Sequence, residues 1–349
     1  MIELNIYQKF DNCLSDVWNN FKSNSLFTIF QTYEWQESYF KTFVENKNNI
    51  CAQIVVVKKN NYPIIILPFA IKVRWGLRIL VWHGENYSDY LAPLLSRTYA
   101  LNKEEFLIIF GKIKEKFKNL DLINFKNQPK YINQVENPFV IFLKNIINQD
   151  SYFINLENNW DNFYNNNVTA KTRNTDRRKE KKLDSLGDLK FQINNDSDFE
   201  EILDFIVNNK LKIKNKLDVI MFYKNLFNDK KKNFKILSST IRINKKIISA
   251  SLGFIYQDIY YYILSSYVND PVIKNNSPGR ILFLKLLKWC SENRIFIIDL
   301  TDGKYEYKLH FASDKKPLFQ YFSSISIRGY IFLIFYKLIT RIRFLYKYV

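Results

Sequence analysis

Two hydrophobic periods alternate along the chain. Residues 16–22 and 33–43 put aromatics on one helical face, Trp18 and Phe21 in the first stretch and Tyr33, Trp35, Tyr39 and Phe43 in the second. Stripes at that spacing predict core-facing helices. ICAQIVVVK at 50–58 predicts a strand, KKNN a turn, and YPIIILPFAIKV a second strand. Pro63 and Pro68 remove two amide donors, which predicts that this strand is at an edge or bulged. RILVW at 78–82 predicts a strand, 103–118 a helix and DLINF at 121–125 a strand, completing a mixed α/β unit over 1–150.

A second unit, 151–327, opens with a predicted strand at 153–156 and helices at 160–165 and 170–183, the latter strongly basic and followed by Gly187. LKFQI at 189–193 reads as a strand, and Asp196 or Ser197 caps a helix at 198–210. KILSSTIRI, KIISASLGFIYQ and IYYYILSSYV follow, with tight turns at Asn244 and at Gln257-Asp258, and predict an antiparallel meander. A helix at 279–293, a strand at 295–300, a short helix at 304–311 and a last strand at 317–327 complete the unit, leaving 328–349 as a C-terminal helix.

Composition narrows the class. With 349 residues, 47% hydrophobic and 25% charged, the chain is long enough for two domains with large cores. Cys13, Cys51 and Cys290 cannot all pair and lack C-x-x-C spacing, which predicts reduced thiols and a cytoplasmic protein. His83 and His310 are too few for a His/Cys metal site and stand in no nucleophile arrangement, so we expect no metal and no hydrolase chemistry. Both read as structural. The N-terminus lacks the pattern of a signal peptide, and no apolar run is long enough to span a bilayer.

The net charge of +18 is uneven, +4 over 1–150 and +14 over 151–349. That asymmetry points to anionic partners: CoA-like phosphates, nucleic acid or an anionic membrane leaflet. Residues 171–182 hold seven cations, of which Arg173, Arg177 and Lys181 share one helical face, read either as an anion-binding face or as a solvated one. Residues 329–349, basic and rich in Phe, Tyr and Leu, form either an interfacial membrane helix or a helix packed on the body.

In the second unit a meander, a Gly-containing loop, a helix and a strand follow in order, and such a crossover makes the flanking strands parallel neighbours. Ligands sit at the carboxyl ends of such strands, here Ser265-Ser266-Tyr267 and Asp299. The loop Asn276-Ser277-Pro278-Gly279-Arg280 lies at the same end, with Ser277 as N-cap and Pro278 at the first helical position. Free amides at 279–281 and the Arg280 charge would form an anion site; an ordinary capped helix start is the alternative.

This ordered set resembles the GNAT acyltransferase superfamily and, within it, the CelD-like branch of polysaccharide-associated N-acyltransferases. The matching residues are the basic run from Arg173 to Leu183 with Gly187, Gly253 and tyrosines 260–262, Ser277-Pro278-Gly279, Ile298-Asp299-Leu300, Gly303, Glu306-Tyr307-Lys308 with Phe311, and, in the first unit, Asp89-Tyr90 before LAPLL. The resemblance implies tandem GNAT-like domains, each a mixed, mostly antiparallel sheet whose central parallel pair splays for the donor. It also implies an acyl-CoA donor, acetyl-CoA first, and an amine acceptor such as an amino sugar or sugar nucleotide in surface polysaccharide synthesis.

On that implication Asn276, Ser277, Pro278, Gly279, Arg280, Ser265 and Ser266 hold the donor. Asp299 and Glu306 serve as base or acceptor anchor, and Tyr307 or Tyr267 protonates the leaving thiolate. Lys308, Asp89, Tyr90, Arg173 and Arg177 bind acceptor. For Asp299 a turn cap is the alternative, for Tyr307 a core position, and for Lys308 an ion pair with Glu306. Fem-type transferases, which share the tandem architecture, imply an aminoacyl-tRNA donor instead. A non-catalytic basic nucleic-acid-binding protein and a membrane-edge scaffold are the other readings. No obligate protein partner is evident.

Overall fold

The computed structural model describes residues 1–345 except 157–158, 195, 211–212, 214 and 304–305, and describes backbone alone at 194, 306–307, 337 and 339–345. The chain forms two compact units, 1–149 with 317–349, and 150–316.

The first unit begins with β1 (Ile2–Tyr7), α1 (Asn12–Lys22) and α2 (Tyr33–Phe43). Asp11 and Thr32 cap the two helices, each accepting from the amide three residues on. β2 (Ile50–Lys59), β3 (Tyr62–Arg74) and β4 (Leu77–Trp82) form an antiparallel meander, with short β5 (Leu94–Ser96) beside β3. α3 (Lys103–Lys116) then crosses over to β6 (Leu122–Pro129), which pairs parallel with β4 from Ile79/Leu122 to Val81/Asn124. Ile65, Leu67, Phe69 and Ile71 alternate onto the α3 face, where Phe106, Ile109, Phe110 and Ile113 meet a stack of Trp82, Phe125 and Phe139.

β3 is an interior strand, so of the two alternatives its prolines leave, edge or bulge, the bulge holds. The register slips between Val57 and Lys58 opposite Pro63, so that proline sits at a bulge. Pro68 falls where the second neighbour of β3 changes from β5, opposite Ile65 and Ile66, to β4, which starts at Phe69. A ladder gap has no use for the missing donor.

The second unit repeats the plan. β7 (Ile146–Asn155), α4 (Trp160–Asn167), α5 (Ala170–Asp184) and β8 (Leu189–Asn194) lead to α6 (Phe199–Asn209) and α7 (Lys216–Asn228). The meander β9 (Lys235–Ile243), β10 (Lys246–Tyr256) and β11 (Ile259–Tyr267) turns at Asn244-Lys245 and Gln257-Asp258, all four at positive φ as type I′ hairpins need. α8 (Pro278–Glu292) crosses over to β12 (Ile297–Asp302), parallel to β11, and α9 (Glu306–Phe311) follows. Within this unit β8, β9, β10, β11, β12 and β7 are consecutive neighbours. Tyr260, Tyr262, Ile298 and Leu300 pack on Phe283, Leu286 and Leu287 of α8, and α6 lies against β10 and β11.

The chain then returns to the first unit with β13 (Asp314–Ser324) and α10 (Ile327–Leu345). The sequence reading put this last strand in the second unit. It instead pairs antiparallel with β6 from Leu318/Pro129 to Ser324/Leu122, filling the edge left open beside the parallel strand. The units divide at 149/150 and 316/317, where the sequence predicts 150/151 and 327/328 with a separate C-terminal helix.

Candidate active site

Two features of β11 and β12 create a cleft. Their parallel ladder stops at Tyr261/Asp299, while β11 continues to Tyr267 against β10. Just beyond the last parallel pair, the register of β11 against β10 shifts between Tyr262 and Leu264. A bulge there bends the strand and turns backbone polar groups out of the ladder. The pair therefore splays at its carboxyl end, facing the N-terminus of α8.

That helix end departs from the expected cap. Ser277 is left-handed (φ 53°) and makes no side-chain cap bond. Its hydroxyl instead accepts from Lys179 Nζ on α5, 2.7 Å away. The amides of Arg280 and Ile281 both donate to Ser277 O. Of the three amides expected to meet an anion, Gly279 N–H is the one that turn leaves over. Pro278 takes the first helical position, as read. Asn276 donates to Val272 O and closes the preceding turn, so its amide is structural.

Arg280 is not a free cation. Its guanidinium forms a two-pronged pair with Asp176 at 2.7 and 3.0 Å and lies 5.0 Å over the Phe311 ring. Tyr164 donates to the same carboxylate, and burial together with that negative charge pushes its phenol up to about 12. The charge left for a ligand at the loop is Lys179, a residue the sequence reading did not single out. A signal was present: Asp176, Lys179 and Leu183 recur at i, i+3 and i+7, and the acid and the leucine are the buried positions of an otherwise basic helix.

Tyr267, half-exposed, lays its ring against the loop. A Cβ on Gly279 would sit 3.1 Å from Tyr267 Cδ1. Four residues of extended chain, roughly 13 Å, separate Tyr267 from the bulge, which places it with the donor loop and too far to protonate a thiolate in the splay. Ser266 is buried, and its carbonyl accepts from Ser249 Oγ; Ser265 is half-buried on the strand leading to the splay.

Asp299 is buried, and its Oδ1 accepts from Thr301 N–H at 2.7 Å, in a turn where Thr301 is held at φ 61°. That is the turn-capping alternative. Lys308 is also buried, with Nζ on the carbonyl of Asp302, so it ties α9 to β12 rather than facing an acceptor. The side chains of Glu306 and Tyr307 lie outside the described residues. Arg173 caps α4 through the carbonyls of Asn165 and Val168, which removes it from the expected anion face. Arg177 is exposed on that face. With Arg178, Lys181, Lys182 and Lys285 it lines an open groove of about 770 Å³ floored by Leu189 and Phe191.

Residues 170–309 match the acetyltransferase (GNAT) domain family. That stretch runs from the first residue of α5 into α9 and includes the splay, the bulge and the donor loop. The chain is an acyltransferase, and residues 170–309 form its GNAT-type domain. Among solved structures, FemX superposes with a TM-score of 0.56 at 11% identity over 91% of this chain and 97% of its own. A conserved protein of unknown function from Bacteroides thetaiotaomicron gives 0.54 at 10% identity, covering 92% of this chain and 100% of its own. A tandem GNAT protein from the clavulanic acid biosynthesis pathway gives 0.52 at 7% identity, covering 93% and 98%. No curated protein matches significantly. The mixed sheets with a central parallel pair in each unit are the tandem GNAT architecture.

The first unit carries its own crossover pair, β4 and β6, and the segment after β4 holds Asp89 and Tyr90. Tyr90 is buried, edge-on to Phe30, and Gln31 Nε2 donates to its carbonyl at 2.8 Å. Asp89 is half-buried. Trp35 Nε1 bonds Ser88 Oγ at 3.0 Å, so α2 and this segment are locked together. His83 is buried, with Nδ1 2.6 Å from Gln36 Oε1, and burial drives its pKa down to about 3. It is a neutral structural histidine, as expected from the sequence.

Proposed function

We propose that this GNAT-type acyltransferase moves an acyl group from acyl-CoA to a primary amine, and that the acceptor is an amino sugar or sugar nucleotide of surface polysaccharide synthesis, the chemistry of the CelD-like branch. The observation that carries the donor half is the splayed β11–β12 pair, with its bulge at the cleft and the α8 N-terminus at its mouth. The residues fit an anionic, elongated donor. Lys179 and Gly279 N–H would hold a phosphate, and the half-buried Ser265 side of β11 would flank the arm.

Acyl-CoA supplies an activated thioester whose thiolate leaves as the amide forms. The chain's own contribution is register and field. A cleft between strands holds the amine and the acyl carbon in contact, which removes most of the entropic cost of the encounter. A backbone amide freed by the bulge would stabilise the oxyanion. The ammonium must lose a proton before attack. Asp299 sits at the end of the parallel ladder and is the carboxylate nearest the splay in the sequence of β12, the candidate to take that proton directly or through a water. Calorimetry with CoA and acetyl-CoA tests the donor assignment. Micromolar binding that a folded Gly279→Trp variant loses supports it, and absence of binding by folded wild type refutes it.

One observation favours a second reading. The groove beside α5, with Arg177, Arg178, Lys181, Lys182 and Lys285, suits a polyanionic donor such as aminoacyl-tRNA. RNase-sensitive co-purification of tRNA would support that reading.

A further inference from the structure

The C-terminal helix α10 has two apolar faces where one is expected. Its inner face docks on the first unit. Leu333 is buried with Leu77, Ile79, Val81 and Leu122, and Phe332 packs beside them. The start of the helix is latched by Asp121, which accepts from Ser326 Oγ at 2.6 Å and from Arg78 N–H at 2.9 Å. Arg328 donates to Gly76 O at 2.5 Å. Gly329 lets the helix backbone approach so closely that a Cβ there would overlap the Asp121 carbonyl.

The outer face is the unusual one. Ile327, Tyr330, Ile331, Ile334, Phe335 and Leu338 recur at i, i+3, i+4, i+7, i+8 and i+11, a continuous helical stripe, and each is between 43% and 80% exposed. Trp75 is a further exposed aromatic beside the helix, next to Phe332. It sits at φ 52° at the tip of the β3–β4 hairpin, 67% exposed, its ring 5.5 Å from that of Phe332 and 4.1 Å beneath the Arg74 guanidinium. A contiguous apolar patch of this kind on a folded surface marks an interaction site.

Charge decides the occupant. From Ile327 to Val349 the sequence has five basic residues, Arg328, Lys337, Arg341, Arg343 and Lys347, and no acidic one. A second copy of the same face would bring like charges together, whereas an anionic lipid surface complements them. No described helix is long and apolar enough to cross a membrane. The aromatic residues in and beside the stripe are those that favour the headgroup boundary. We infer that α10 and the Trp75 hairpin tip form an interfacial anchor that lies in the plane of an anionic membrane. This inference is independent of the acyl-transfer site.

The test uses the full chain and vesicles of phosphatidylcholine with and without phosphatidylglycerol. Wild type should sediment with the anionic vesicles, weakly or not at all with pure phosphatidylcholine, and brominated lipid should quench Trp75 fluorescence in a way that Trp75→Phe removes. Ile331→Glu with Phe335→Glu changes only solvent-facing side chains, so melting should be unaltered while vesicle affinity falls at least about tenfold. Failure of wild type to bind, or equal binding by the folded double variant, overturns the inference. So does a lipid-free dimer in sedimentation velocity that the same double variant abolishes, because the face would then be a contact between copies.

Discussion

Lys179→Ala separates the donor loop from the rest of the basic surface. Its ammonium is 2.7 Å from Ser277 Oγ at the N-terminus of α8, while Lys181, two residues on and about 200° round the helix, lines the open groove instead. A charge-assisted hydrogen bond to a phosphate contributes about 1.5–3 kcal/mol, so its loss should weaken CoA binding about 10- to 150-fold. The bond to Ser277 is only half-buried and supports the fold by about 1 kcal/mol, so the variant should remain folded with slightly lowered stability. Lys181→Ala, exposed and unpaired in the described hydrogen bonds and ion pairs, should leave CoA binding within about twofold. Calorimetry on wild type and both variants at one ionic strength, with urea melts alongside, reads both quantities. If Lys179→Ala binds CoA as tightly as wild type, the donor phosphate is not at this loop. If Lys181→Ala is the variant that loses binding, the groove holds the donor and the polyanion reading gains.

Three further outcomes are expected. Gly253→Ala would drive a Cβ into the buried Tyr260 hydroxyl and the Tyr261 carbonyl, neither of which can retreat, and should destabilise by about 3 kcal/mol or more in thermal or urea unfolding. Asp299→Ala should free the Thr301 amide and cost about 1–2 kcal/mol, whereas Asp299→Asn should keep most of the turn; a base role additionally requires that Asn lowers kcat and flattens its acid limb, and an unchanged profile would leave Asp299 as a cap only. His83 stays neutral when folded, because burial holds its pKa near 3, while the unfolded chain takes up a proton below about 6.5; its contribution to stability is therefore full above 6.5 and lost as pH falls below it, by about 2 kcal/mol at pH 5, a slope that urea titrations at pH 7 and 5 would detect.

What was legible followed from local rules. The β9–β10–β11 meander could be read because period-2 hydrophobicity is punctuated by Asn244-Lys245 and Gln257-Asp258, turn residues tolerant of positive φ. Pro278 marks the start of α8, and the crossover order implies the parallel pair that frames the cleft. What escaped was non-local. Asp176 pairs with Arg280 across 104 residues of sequence, so Arg280 reads as a free cation until the fold brings the carboxylate to it. Lys179 is one of seven cations in a run; its spacing with Asp176 and Leu183 places it toward the buried face, but its role appears only in the contact with Ser277, 98 residues away. β13 carries no mark of the unit it joins, since an open strand edge on β6 is a property of the other unit. β1 and α7 went unread because IELNIY is short and KLDVIMFYKNLFN has a weak amphipathic pattern, and pairing with β2 and packing on α6 specify them instead.

The most direct test of acyl transfer at the β11–β12 cleft is amine-dependent release of free thiol from acetyl-CoA and longer acyl-CoAs, scanned over amino sugars and their nucleotides. Thiol release is expected only when an amine is present, with a matching N-acyl product by mass spectrometry and loss of both in a folded Gly279→Trp variant. Thiol release that is unchanged in Gly279→Trp, or no release with any amine by a wild type that binds CoA, would contradict acyl transfer at this cleft.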